Sequence, residues 1–111
     1  VNKIKIFVYG TLKRGHYNHG RCGLDGAGVS FIGQEYIDGY TLYRRYNLPY
    51  AVKEKGKRIK GEVYEVPFDV YDQIYWMEVG AGYYVEEVNG IRFFAHERYN
   101  MCMEIGEEFN N

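Results

Sequence analysis

The sequence predicts an α+β fold: a small, mixed, partly closed β-barrel with one main helix and a short helical or loop element ahead of it. Three observations carry this. Apolar and polar residues alternate in short runs along most of the chain, thirteen tyrosines are interspersed with fourteen glycines, and only one segment switches to a helical period. Tyrosine favours strands, while glycine favours the turns and bulges by which a small sheet bends.

The first expected strand is Lys3 to Tyr9, with Ile4, Ile6 and Val8 on one face and Lys3, Lys5, Phe7 and Tyr9 on the other. Gly10 ends it. Residues 10–28 hold six glycines among polar groups, a composition that supports a long loop with at most a short helix near 18–24. A loop of that length in so small a protein is usually functional. From Val29 the pattern becomes a β series at 29–33, 38–45, 48–54 and 58–66, read as antiparallel strands, with 53–60 (KEKGKRIK) a solvated basic hairpin turn. After Pro67, Asp69 is placed to cap the amides of residues 71 and 72, and Val70, Ile74 and Met77 recur at helical spacing; the spacing predicts a helix over 69–78. Gly80 and Gly82 stop it. Residues 83–88 and 90–99 read as two closing strands around an Asn89-Gly90 turn, and the acidic tail 103–111 reads as frayed.

The chain's 111 residues suit one domain spanning 1–111. Fourteen basic and fifteen acidic side chains leave a net charge of −1, which provides no electrostatic footprint for nucleic acid or an anionic membrane. No apolar run approaches the ~20 residues that span a bilayer. The opening residues VNKIKIFVYG lack the apolar block of a secretory signal, so cytoplasmic residence is expected. Cys22 and Cys102 stand far apart in sequence and outside any Cys-x-x-Cys arrangement, and read as reduced thiols.

Glu78 is the first candidate for chemistry. At about 100° per residue it lies about 40° from Ile74 and about 20° from Tyr71, on the apolar side of the helix. A carboxylate facing inward has its pKa raised by desolvation, the tuning that a general acid/base near neutrality requires. The alternative is a helix-end glutamate that bends out to solvent or pairs with Lys or Arg. The second candidate is Tyr9-Gly10-Thr11-Leu12, where a strand runs into a glycine turn whose amides can converge on a carboxylate or an amide oxygen; a plain turn is the alternative. His16, His19 and Cys22 are spaced three apart, but Gly15, Gly20 and Gly23 argue against a helix rigid enough to present them to zinc. No metal is expected. Cys22 has no evident partner base as a nucleophile, and the tyrosines at 36, 40, 43, 46, 50 and 64 are strand residues that can also line a cleft.

The ordered series IFVYGTLKRGHYNH, FIGQEYIDGYTLY, LPYAV, KGEVYEV and YDQIYWMEVGAGYY, over about residues 4–88, resembles the γ-glutamyl cyclotransferase-like family, and within it the short branch that includes γ-glutamylamine cyclotransferases. The resemblance implies a barrel-like α+β fold with its active site beside the first loop. Matched residue by residue, it makes Tyr9, Gly10, Thr11 and Leu12 the loop that holds a γ-glutamyl group, Glu78 the catalytic acid/base, and Tyr84 a retained substrate-side residue. Two positions depart from the family pattern: Val79 stands where glycine usually follows the glutamate, and Glu86 stands where arginine usually completes Tyr-x-Arg.

The implied reaction is cyclisation of the γ-glutamyl group to 5-oxoproline with release of an amine. It needs no cofactor, and its partner is a small-molecule γ-glutamyl substrate. The alternative is a non-catalytic module that keeps the pocket for a small acidic ligand.

Overall fold

The computed structural model describes residues 3–97 and 102–110. Its elements run β1 (Lys3–Val8), α1 (Tyr17–Arg21), β2 (Ser30–Arg45), β3 (Leu48–Pro67), α2 (Phe68–Gly80), β4 (Tyr84–Val88), β5 (Ile91–Ala95) and β6 (Met103–Gly106). The six strands form one sheet in the order β4-β5-β1-β3-β2-β6, mixed because β1 lies parallel to β5 and antiparallel to β3. The sheet curls into a half-barrel. Among the described residues no helix is long and apolar enough to cross a membrane.

Curling gives the sheet two buried faces. Ile6, Val8, Tyr64, Val66 and Phe94 meet Tyr71 and Ile74 of α2 on one; Phe7, Ile37, Leu42, Val63 and Phe93 fill the concave side on the other. β1 sits centrally, and its last three residues, Phe7 among them, are buried whichever way they point. A strand covered on both faces takes a continuous apolar run in place of an alternation, so the expected lysine-bearing face survives only at Lys3 and Lys5.

The four expected strands between 29 and 66 are two long ones. Gly39 takes φ +87°, where β2 shifts register against β3 between Asp38 and Tyr40. A glycine in that conformation bends a strand without ending it. The basic stretch 53–60 is likewise a bulged part of β3, since Tyr40 faces Lys53 while Asp38 faces Arg58. Helix α2 starts one residue earlier and runs two residues further than expected. Its N-cap is Pro67 with no side-chain cap, so Asp69 does not cap the amides of 71 and 72; it lies in the first turn, where its charge favours the helix dipole. Asn89 (φ 52°) and Gly90 (φ 77°) form the expected tight turn between β4 and β5.

The tail is not frayed. β6 pairs with β2, and Phe109 is 1% exposed in the concave core. Its glutamates meet the basic bulge: Lys57 pairs with Glu104, Arg58 with Glu107, and Lys60 with Glu108. Two segments that read separately as solvated charge neutralise one another across the sheet. Expected strand residues 98 and 99 lie outside the described residues.

Gly61 shows how closely the strands are laid. A methyl group there would stand 2.4 Å from the Val8 carbonyl oxygen and 2.7 Å from the Phe7 ring. Gly61→Ala should therefore lower unfolding free energy by about 3 kcal/mol, as overpacking against backbone does, measured by urea denaturation.

Candidate active site

Where β1 ends, the chain cannot continue as a strand. Gly10 lies against Pro49 so tightly that a β-carbon would stand 2.4 Å from the proline Cγ, and the chain turns, with the Lys13 amide donating to the Gly10 carbonyl at 3.0 Å. The following carbonyls are occupied by α1 and its flanks. The Asn18 amide donates to the Thr11 oxygen at 2.8 Å, Asn18 Nδ2 donates to the Thr11 hydroxyl at 2.9 Å, and His19 Nδ1 lies 3.0 Å from the Leu12 oxygen. The amides of Gly10, Thr11 and Leu12, in contrast, have no acceptor among the described residues. Their residues line a cavity of about 140 Å³.

Glu78 lines the same cavity, and the end of α2 explains why. The Tyr83 amide donates to the Glu78 carbonyl at 3.0 Å and the Gly82 amide to the Val79 carbonyl at 3.0 Å, with Gly82 at φ +96°. This is a Schellman stop, which normally brings the side chains three residues before the cap and two after it into contact. Here those positions are Glu78 and Tyr83, so the motif sets a carboxylate beside an aromatic ring. Tyr83 is held in turn: its hydroxyl donates to the Pro49 carbonyl at 2.7 Å, its ring stacks on Tyr50 at 5.4 Å, and His96 abuts both edge-on.

Burial in this wall raises the Glu78 carboxyl from its ordinary 4.5 to about 7. The negative end of the α2 dipole acts in the same direction. Among the described residues no Lys, Arg or His lies within ion-pair distance to reverse the effect. A carboxyl half-protonated at neutrality can both accept and return a proton.

Tyr9 takes a different part from the other loop residues. Its hydroxyl donates to the Phe94 carbonyl and accepts from the Ala51 amide at 3.2 Å, and burial holds its pKa well above the usual value. The side chain is bound into the scaffold, and Tyr9 contributes to the cavity as part of the wall. Tyr84 opens β4 opposite Ala95 and is 38% exposed; it is not among the cavity residues, whereas Tyr83 is. Glu86 is likewise outside the cavity, paired with Lys53 at 3.1 Å.

His16, His19 and Cys22 face three different neighbours: Phe109, the Leu12 carbonyl and the Met77 sulfur at 3.6 Å. Among the described residues no group of three His, Cys, Asp or Glu side chains could hold a metal. The Cys22 thiol is buried, and burial, followed by the nearby Glu78, pushes its pKa up. Sequence reasoning passed over Asn18, Pro49 and Tyr83 as site residues; of the six tyrosines read as able to line a cleft, Tyr50 lines this cavity and the other five do not. Tyr83 was recoverable from the Gly82 stop, since the next residue must fold back on Glu78.

Comparison with known proteins places this geometry. The sequence model described as "Gamma-glutamyl cyclotransferase, AIG2-like" matches residues 6–103. The chain belongs to that family. It is 45% identical over 86 residues to PH0828 of Pyrococcus horikoshii, covering 78% of this chain and 69% of that protein. It is 33% identical over 99 residues to CG2811 of Drosophila melanogaster, covering 84% and 63%. Both relatives bear a provisional gamma-glutamylcyclotransferase name. The crystal structure of PH0828 superposes with TM-score 0.78 at 37% identity over 93% of this chain and 86% of that one. An AIG2-like protein from Mus musculus superposes with TM-score 0.72 at 25% identity, over 91% and 82%. The Escherichia coli protein ytfP, at 23% identity and TM-score 0.75 over 94% and 93%, shares the fold. Family membership supports a gamma-glutamylcyclotransferase-like enzyme acting on a small molecule.

The raised carboxyl makes a stability prediction whose sign follows from linkage. Because the folded protein holds the Glu78 proton more tightly than the unfolded chain, the contribution of Glu78 to stability is greatest below about pH 4.5 and falls as pH rises to about 7, then levels off. Glu78→Gln has no proton to lose. At pH 8 it should be more stable than the parent by up to about 3 kcal/mol, from the 1.36 kcal/mol that each pKa unit represents, and the gap should close towards pH 5. Urea denaturation of both proteins across that range measures it.

Proposed function

We propose that the chain cleaves a γ-glutamyl amide by intramolecular ring closure, releasing 5-oxoproline and an amine, with Glu78 as general acid/base. One observation carries the reading: a desolvated carboxyl with a pKa of about 7 shares one small cavity with a turn whose three amides have no other acceptor among the described residues. A carboxyl poised to exchange protons and a set of fixed donors for a developing oxyanion are what this reaction asks of a protein.

In the proposed sequence, Glu78 in its ionised form takes a proton from the substrate's α-ammonium group. The freed nitrogen attacks the γ-carbonyl carbon, forming the new C–N bond, and the carbonyl oxygen becomes an oxyanion received by the amides of Gly10, Thr11 and Leu12. Collapse breaks the original C–N bond as Glu78 returns the proton to the departing nitrogen. Two protons leave the α-nitrogen in all and two reach the leaving amine, so the carboxyl ends each turnover as it began. Attack within one molecule removes the entropy of bringing two reactants together, and a bent binding pose supplies most of the remaining advantage. The apolar wall of Leu48, Pro49, Met77 and Tyr83 supports that pose by enclosing the chain and excluding water. The reading includes γ-glutamylamines as substrates, in keeping with the branch its motifs resemble. It also includes residence in the cytoplasm, supported by the two free cysteines.

Glu78→Gln keeps the shape of the side chain and removes its proton exchange. Turnover of a γ-glutamyl amide that the parent cleaves should fall at least ~10²-fold with little change in binding, followed as 5-oxoproline release. In the parent, kcat should have a limb near pH 7 set by Glu78, and that limb should vanish in the residual activity of the variant. A parent that binds γ-glutamyl compounds but releases no 5-oxoproline from a panel of them would favour the non-catalytic ligand-binding module.

A further inference from the structure

The turn that presents the amides is anchored twice. On one side Gly10 is wedged against Pro49. On the other, Lys13, whose amide closes the turn on Gly10, buries its whole side chain, at 6% exposure, and donates its ammonium to the Phe109 carbonyl at 2.6 Å. Phe109 is itself fixed: its ring is in the concave core and against His16, which donates its amide to the Lys13 carbonyl at 2.9 Å. The preceding residues are tied to the sheet by β6 and by the Lys60 amide, which donates to the Glu107 carbonyl at 2.6 Å.

We propose that Lys13 is a positioning residue for the reaction, and that residues 103–110 form a strap which, through the Lys13–Phe109 bond, holds the Gly10–Lys13 turn with its amides directed into the cavity. The inference rests on the cyclisation reading of that cavity. Lys13 does not line the cavity, so it acts through the turn and not on substrate.

Stability alone does not account for a lysine here. Burial disfavours its charged form, and the neighbouring charges that oppose this, Glu108 and then Glu62, act at longer range. An ammonium removed from water onto a carbonyl is costly. What the ammonium supplies is a directed bond of fixed length between the tail and the turn. That matters for chemistry because donors to an oxyanion work only when already aligned, and a displacement of about 1 Å far from the reacting atoms can cost ~10²-fold in rate.

The test compares Lys13→Met, Phe109→Ala and the double variant with the parent, at a temperature below the melting transition of all four. Lys13→Met should lower kcat for 5-oxoproline release by roughly 30-fold, within the range expected for misplaced donors, with KM and the pH of the kcat limb unchanged in a protein that remains folded at the assay temperature. Phe109→Ala should lower stability and reduce kcat to a similar extent, and the double variant should be no slower than the worse single one, because both break the same strap. The strap has its own readout in hydrogen exchange at the Asn18 amide, which donates to the Thr11 carbonyl and should exchange at least ~10-fold faster in either single variant. Lys13→Met with kcat within threefold of the parent, defects that multiply in the double variant, or unchanged Asn18 exchange would each overturn the proposal. A parent that forms no 5-oxoproline overturns the cyclisation reading, and the positioning role of Lys13 with it; Asn18 exchange then decides the strap by itself.

Discussion

β1 is covered on both sides, and most of the molecule follows from that constraint. A strand whose last residues are buried in either direction must be apolar over those residues, must have partners along both edges, and must end where one of those partners closes over it. Tyr9 makes the closure: its hydroxyl joins the Phe94 carbonyl of β5 to the Ala51 amide of β3, drawing together the strands that flank β1. Immediately beyond, Pro49 leaves no room for a β-carbon at position 10. The backbone must turn there with glycine, and the amides of Gly10, Thr11 and Leu12, residues that line the cavity, are left with no acceptor among the described residues. In a buried setting such donors are a cost to folding unless something accepts from them. A ligand oxygen is the natural acceptor.

Glu78 is the complementary cost. A carboxyl placed at the negative end of a helix and in an aromatic wall disfavours its own ionisation, and the Schellman stop puts it there by geometry that a leucine would serve with more stability. Two features that each weaken the fold, amides without an acceptor among the described residues and a desolvated acid, belong to residues that line the same cavity. Their meeting is better explained by what they do together than by what either contributes alone. The fold compensates elsewhere, with a core on each face of the sheet and with the pairing of the acidic tail to the basic bulge of β3.

Local pattern made much of this legible before the coordinates were known. Strand β1, helix α2, the Asn89-Gly90 turn, and the inward direction of Glu78 are each written within a few consecutive residues, where period and turn chemistry act directly. What the residues did not disclose depends on partners distant in sequence. Gly39 and Gly56 look like strand ends, and only the register between β2 and β3 makes them bends. The tail looks solvated because its glutamates are read without the lysines and arginine that meet them, and because Phe109 finds its core among strands that begin as far back as Phe7. Asp69 has the chemistry of a cap, but Pro67 takes the position, and proline with its fixed φ starts a helix without one.

The departures from the family pattern can now be placed by what they touch. Glu86, in the position where the resemblance leads one to expect arginine, is outside the cavity and makes an ion pair with Lys53 of β3; after burial, its charge also raises the Tyr40 hydroxyl pKa. A partly exposed pair of this kind contributes little to stability, but it joins the edge strand β4 to the centre of the sheet with charge available on both sides, as an arginine facing an acid would with the signs exchanged. Val79 follows Glu78 within the helix, and its carbonyl accepts from Gly82 in the stop motif, a backbone role that a β-branched side chain does not disturb. Neither change removes a group that faces the acid or the amides. Both departures therefore fall outside the residues that line the cavity.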